Sequence, residues 1–326
     1  MTTTASLPGR RPLVLAALLL AGSAAGNALA QGAYPDKPIT WLVGYPPGGS
    51  ADVMTRLVAR KLEQAFGQPV VVDNRPGASG SIALNAAAKA LPDGYTLVTV
   101  PGPVLTNLPV PQVGKELAGV AMLGKGPMVL VGTASTSAPA DLKALIAAAK
   151  AAPSKYSFAS SGNGTSQHLA GELINQIAGV RMMHIPYKGG NQAVTDVIGG
   201  QVPLAVLGIT PVLPHVKSGK LKAYGVSTAA RSRALPEVPT LREAGLPDFN
   251  ASQWFVVAAP AAIPIERARK LNAAIAAILK QRDIIDGFLN VGVEPEALDL
   301  NQTTDYVAAD LQRWRELARK SNLPLD

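Results

Sequence analysis

Ile39-Thr40-Trp41-Leu42-Val43-Gly44-Tyr45-Pro46-Pro47-Gly48-Gly49-Ser50-Ala51-Asp52-Val53 is the stretch that decides the fold. The apolar, β-branched run over residues 39–45 reads as a buried strand, and the Pro/Gly/Ser turn after it ends that strand. Beyond the turn, Val53, Met54, Leu57, Val58, Leu62 and Phe66 recur at helical spacing, the pattern of an amphipathic helix packed on a sheet. Strand, glycine-rich turn and helix in that order open a parallel α/β unit.

Working outward, residues 70–72 read as a second strand, 82–90 as an Ala-rich helix, Pro92-Asp93-Gly94 as a turn and 95–100 as a third strand. Residues 101–111 are Pro-rich and irregular, and strand-like runs at 120–123 and 128–132 lead into a second set of elements. That set comprises a helix at 141–150, strands at 156–159, 182–185, 202–207 and 221–226, and helical faces marked by Leu169, Leu173, Ile174 and Ile177 and by Val194, Val197 and Ile198. The apolar run 254–258 before Pro260 returns the chain to the first half, and helices over 263–279, 284–289 and 304–319 complete it. Two crossings predict two α/β lobes hinged near residues 129–132 and 254–258. Lobe 1 comprises residues 31–130 and 256–326, and lobe 2 residues 131–255.

Residues 1–30 read as an export signal: Arg10 and Arg11 precede an apolar run at 13–20, and Ala28-Leu29-Ala30 offers a small-x-small cleavage site. The paired arginines leave twin-arginine export open beside the general secretory route. The processed chain is expected in the periplasm, soluble and monomeric. Net charge is +8, falling to +6 once Arg10 and Arg11 leave with the signal, which favours anionic partners. The basic residues are scattered without interleaved aromatics, so nucleic acid is not expected. There is no Cys, which excludes disulfides and thiol chemistry.

Four turns share the first one's design, two in each lobe: residues 46–50, 76–81, 160–166 and 187–190. The first amides of a helix lack intrahelical partners and sit at the positive end of its dipole, so such turns hold carboxylates. Glycines admit a ligand to the backbone, and Ser50, Ser79, Ser161 and Thr165 add hydroxyls. In open α/β folds this end of the strands is where ligands bind. No phosphate loop is present, His168, His184 and His215 lack metal spacing, and no Gly-x-Ser-x-Gly elbow occurs. The expectation is a binding protein without cofactor, metal or catalysis. Asp52 reads as a capping partner, and Asp73 and Arg75 as braces of their loop.

The chain resembles the Bug/TctC family of extracytoplasmic solute-binding proteins. The matching residues are Tyr34-Pro35-Asp36-Lys37-Pro38-Ile39, Pro47-Gly48-Gly49-Ser50-Ala51-Asp52 and Gly67-Gln68-Pro69-Val70-Val71-Val72-Asp73-Asn74-Arg75-Pro76-Gly77-Ala78. Further matches are Pro92-Asp93-Gly94-Tyr95-Thr96-Leu97, Gly162-Asn163-Gly164-Thr165, Pro186-Tyr187-Lys188-Gly189, Gly199-Gly200-Gln201-Val202, Val238-Pro239-Thr240 and Trp254-Phe255. The resemblance covers essentially the whole processed chain. It implies a type II periplasmic-binding-protein fold with a cleft between lobes, and membrane subunits of a tripartite tricarboxylate transporter as partners. A sensory system is the alternative partner, and a hydrolase the more distant alternative. Carried over by position, Gly48, Gly49, Ser50, Ala78 and Ser79 would face Ser161, Gly164, Thr165 and Tyr187, with Lys188 and Gly189 alongside. Tyr45 stands where the family usually has Phe, and no acid lies near Leu207, which disfavours amino acids and favours dicarboxylates or aromatic carboxylates.

Overall fold

The computed structural model describes residues 1–3, 34–103 and 110–320. It divides into a leading unit, Met1–Lys37, and a body, Pro38–Asp326, and the elements below belong to the body. Residues 4–30 of the expected export signal and residues 104–109 of the Pro-rich stretch lie outside the described residues.

In chain order the body runs β1 (Ile39–Val43), α1 (Ser50–Phe66), β2 (Val70–Asn74), α2 (Ser81–Ala88), β3 (Thr96–Gly102), β4 (Leu117–Thr133), α3 (Leu142–Ala151), β5 (Ser157–Ser160) and α4 (Ser166–Ala178). It continues through β6 (Met183–Pro186), α5 (Gly190–Ile198), β7 (Leu204–Gly208), α6 (Ile209–Lys217), β8 (Leu221–Val226), β9 (Ser252–Pro260), α7 (Ile265–Leu279), α8 (Arg282–Asn290), β10 (Glu294–Pro295) and α9 (Leu300–Lys320).

The first sheet pairs β2, β1 and β3 in parallel, then β9 and β4 antiparallel, with β10 on β4. The second pairs β4 with β7 and β8 antiparallel, and β7, β5 and β6 in parallel. β4 joins the two: residues 117–127 pair with β9, and residues 128–133 pair with β7 and β8. Expected as two separate runs, it is one 17-residue strand. Lys125-Gly126-Pro127 does not end it because that is where its partners change, and shifts of register at residues 119–121 and 122–124 bend it toward the second sheet.

Helices cover the central strands, which are largely apolar: Ile39, Trp41, Leu42 and Val43 are buried together, as are residues 204–208, whereas the edge strands β2 and β6 expose Val71 and Met183. α1 turns Met54, Val58 and Leu62 onto β1 to β3. Its start is fixed by a buried relay in which Trp41 Nε1 donates to Thr99 Oγ1 at 2.9 Å and the Thr99 and Thr55 hydroxyls meet at 2.6 Å. No element was predicted between residues 207 and 221, where α6 forms. Pro211 falls in the first turn, where no amide partner is needed, and only Pro214 lies inside. Among the described residues no helix is long and apolar enough to cross a membrane.

Candidate functional site

The four glycine-rich turns come together. With β9 and the end of β7 they enclose a cleft of about 760 Å³, a volume suited to a small molecule. Its wall includes Tyr45, Gly49, Ser50, Ala78, Ser161, Lys188 and Gly189 from the expected set. Gly48, Ser79, Gly164, Thr165 and Tyr187 are not among its lining residues. Gln167, Asn191, Gln192, Gly208, Gln253, Phe255, Ile82, Pro101 and Pro211 also line it.

The first turn is built by Asp52. This carboxylate, 3% exposed, accepts the Gly48 amide at 2.9 Å on one oxygen, and Arg56 Nε and Asn74 Nδ2, both at 2.9 Å, on the other. Asn74 also donates to the Tyr45 carbonyl at 2.9 Å, so the end of β2 ties down the turn after β1. The Gly48 amide is thereby engaged. The Gly49, Ser50 and Ala51 amides have no acceptor among the described residues, and they open α1 at the cleft. A cluster of unpaired N–H groups at a helix start is an anion site by its own dipole.

The second turn is left-handed for four residues running, with φ of 130°, 45°, 54° and 91° at Gly77, Ala78, Ser79 and Gly80. Ala78 and Ser79 carry side chains there, at about 1–2 kcal/mol each. The Tyr45 hydroxyl donates to the Ser79 carbonyl at 2.9 Å and holds the turn. Burial pushes that phenol above its ordinary range, so it remains a donor. Gly80 is required beneath it, since a Cβ would lie 3.2 Å from the Tyr45 ring.

In the third turn most polar atoms serve the turn itself. The Thr165 hydroxyl caps α4 and donates to the Gly162 carbonyl at 2.7 Å, and the Gly164 amide donates to His168 Nδ1 at 3.1 Å. His168 stacks on His184 at 3.9 Å, and His184 Nε2 lies 2.6 Å from the Ser160 hydroxyl. Burial lowers His168 to about 4 and His184 to about 3, with the facing His168 adding to the latter. Both rings are therefore neutral at pH 7, as the Gly164 bond requires of His168. In the fourth turn the Tyr187 hydroxyl donates to Asp196 at 2.6 Å, away from the cleft. Lys188 is the one charged side chain on the cleft wall among the described residues.

The two sides touch across the mouth. Asn191 Nδ2 donates to the Pro47 carbonyl at 3.0 Å, and a Cβ on Gly189 would lie 2.9 Å from Pro46.

The sequence matches the profile of the tripartite tricarboxylate transporter family receptor over residues 54–323. The chain belongs to that receptor family. Among curated relatives of this receptor is protein BugT of Bordetella pertussis, 37% identical over 323 residues, covering 97% of this chain and 98% of BugT. Among solved structures, the periplasmic binding protein BugD superposes with a TM-score of 0.83 at 29% identity, covering 89% of this chain and 99% of BugD. A Rhodopseudomonas palustris protein solved with adipate superposes with a TM-score of 0.84 at 29% identity, covering 89% and 98%. The receptor therefore has the periplasmic-binding-protein fold, two α/β lobes with a cleft between them, in a solute-binding family.

Of the lining residues that sequence reasoning missed, Gln167 had a usable signal, since it lies in the first turn of the helix after the third loop. Gln253 had a weaker one, a polar residue abutting the apolar run 254–258. Gly208 had none beyond its place at the end of a strand.

Proposed function

We propose that this receptor captures a small organic carboxylate in the cleft and delivers it, without altering it, to membrane subunits of a tripartite tricarboxylate transporter. The observation that carries the reading is the convergence of the Gly49, Ser50 and Ala51 amides, unpaired among the described residues, on a cleft whose described lining holds Lys188 and no carboxylate. Such a wall favours a carboxylate and disfavours an ammonium ion. The adipate held by the R. palustris protein supports the same ligand class. Dicarboxylates and aromatic carboxylates fit the mixed wall of glycine amides, Phe255, Ile82 and prolines. The remaining expected residues, Gly48, Ser79, Gly164, Thr165 and Tyr187, act by shaping the four turns.

The lobes divide, on this reading, where β4 changes partners at Pro127 and Met128 and where the chain enters β9 at Ser252. Residues 1–30 direct export, and the processed receptor works as a monomer in the periplasm. The test is a pair of substitutions assayed by calorimetry against a carboxylate panel. Gly49 has φ −76° and only the Pro46 carbonyl, at 3.8 Å, near a built Cβ. Gly49→Val therefore folds and obstructs the helix start, and binding should be lost. Lys188→Met should weaken it less than tenfold. A larger loss at Lys188 than at Gly49 would replace amide capture by an ion pair.

A further inference from the structure

We infer that the cleft floor at Gly208 is a neutral oxygen subsite: Gln253, Gln167 and Ser50 converge there on a hydroxyl or carbonyl at the ligand carbon next to the carboxylate. The preferred ligands are then 2-hydroxy and 2-oxo carboxylates rather than unsubstituted acids or amino acids. This rests on the carboxylate reading above and specifies the substituent that accompanies the carboxylate.

Gly208 ends β7, and the point where a Cβ would stand lies 2.8 Å from Gln253 Oε1, 3.0 Å from Ser50 Oγ and 3.9 Å from Gln167 Nε2. Three polar heads from β9, α1 and α4 thus surround one bare stretch of backbone, and any side chain at 208 would fill their meeting point. Gln253 is 7% exposed and Gln167 4%. The Gln253 amide, the Ser50 hydroxyl and Gln167 Nε2 have no hydrogen-bond partner among the described residues. Gln167 Oε1 accepts only a long 3.5 Å contact from Ser166. The residues are largely buried, but their polar heads open onto the cleft, where a bound molecule can supply the partners that the protein does not. All four of these residues line the cleft.

The chemistry of the heads selects the guest. A primary amide offers donors and an acceptor, and a serine hydroxyl offers both, so together they satisfy a hydroxyl or a carbonyl oxygen. An ammonium ion would meet neutral acceptors alone, beside Lys188 and with no carboxylate on the wall, so its desolvation would go uncompensated. Ser50 links this subsite to the anion site, because its amide opens α1 while its hydroxyl reaches the Gly208 floor. A carboxylate seated on the α1 amides therefore puts its neighbouring carbon over Gly208, and the substituent read there is the one at position 2.

The experiment is isothermal titration calorimetry of the purified processed receptor with two matched triads that differ only at position 2. One is succinate, malate and aspartate, and the other is 3-phenylpropionate, 3-phenyllactate and phenylalanine. In any skeleton that binds, the hydroxy acid should bind about tenfold tighter than its parent, the worth of one or two neutral hydrogen bonds, and the amino acid weakest. Gln253→Leu should bring hydroxy and parent acids within about twofold of each other, the hydroxy acid losing more affinity than its parent. Gly208→Ala, whose methyl displaces the Gln253 head, should do the same and serves if Gln253→Leu does not fold. Equal binding of parent and hydroxy acid by the native receptor would overturn the subsite, as would an equal loss of both in the variants or a preference for the amino acid. Binding of none of the six acids would overturn the carboxylate reading itself.

Discussion

Removing the hydroxyl of Ser227 should destabilise the receptor by about 2–4 kcal/mol, although this residue lies outside the cleft. Ser227 follows β8 and is 1% exposed. Its amide donates to the Met128 carbonyl at 2.9 Å, and its hydroxyl accepts the Met128 amide at 2.9 Å. The same hydroxyl donates to the Ala251 carbonyl at 2.6 Å, and its carbonyl accepts the Ala251 amide at 2.8 Å. One serine thus ties β4, at the point where it changes sheets, to the segment entering β9. Ser227→Ala keeps both backbone bonds and deletes both side-chain bonds. The loss leaves a buried N–H and a buried C=O, each worth about 1–3 kcal/mol when unsatisfied. No cavity large enough for water need form, so little of this is recovered. Thermal unfolding of Ser227→Ala should show Tm lowered by roughly 3–7 °C for a chain of this size. Ser218→Ala, which removes only an exposed 3.3 Å bond to the His215 carbonyl, should shift Tm by less than about 2 °C. A Tm within 1 °C of the native value for Ser227→Ala would refute the claim that the two crossing segments are held through this hydroxyl.

Three other outcomes follow from the site geometry. Tyr45→Phe removes the donor to the Ser79 carbonyl, so the left-handed turn should loosen and ligand affinity fall two- to tenfold, while stability changes by no more than about 1 kcal/mol; an unchanged Kd would mean that the turn holds without it. His168 and His184 titrate at about 4 and about 3 when folded against about 6.5 unfolded, so from about pH 6.5 down to 4 the unfolded chain binds more protons. Stability should therefore fall on acidification, by up to about 1.4 kcal/mol per pH unit for each ring. Glu172, raised by burial, opposes part of this; urea midpoints should drop between pH 7 and 4.5 and do so less steeply in His168→Asn, and a flat native profile would show that the rings are accessible and ordinary. Asn191→Ala removes the bond across the cleft mouth, so the ligand-free receptor should open, with a larger radius of gyration by small-angle scattering that contracts on adding ligand; identical profiles for the native and variant proteins without ligand would show that this contact does not hold the mouth.

The fold was legible where its cause is local. Each turn after a strand carries Gly, Pro or Ser next to an amphipathic run, and those residues encode the break and the helix start without help from the rest of the chain. Legibility failed where partners decide. Lys125-Gly126-Pro127 looks like the end of a strand, yet β4 passes through it because β9 lies beside one half and β7 and β8 beside the other. Pro211 and Pro214 look like helix breakers, yet α6 tolerates them because one falls in its first turn.

The site divides along the same line, and the division bears on how an anion-binding turn is to be read. A glycine-rich turn before a helix announces available amides, but availability is a property of the folded neighbourhood. Of the amides offered by the first and third turns, Gly48 is taken by Asp52 and Gly164 by His168, whereas Gly49, Ser50 and Ala51 have no such partner among the described residues. Asp52 and His168 each reach back four residues to their turns, so both engagements were within reach of local reasoning, whereas the Asn74 bond that fixes Asp52 joins residues 22 apart in sequence. The hydroxyl of Thr165 was likewise counted as a ligand donor although it donates to Gly162, and Tyr187, carried over by position, gives its hydroxyl to Asp196. Conversely Gln253 and Gln167, absent from the expected set, present side-chain amides at the Gly208 floor. A sequence lists the polar groups a protein owns. Ligand recognition depends on the remainder after the protein has satisfied itself, and among the described residues of this receptor that remainder includes three backbone amides at the start of α1, Lys188, the Ser50 hydroxyl and the two glutamines around Gly208.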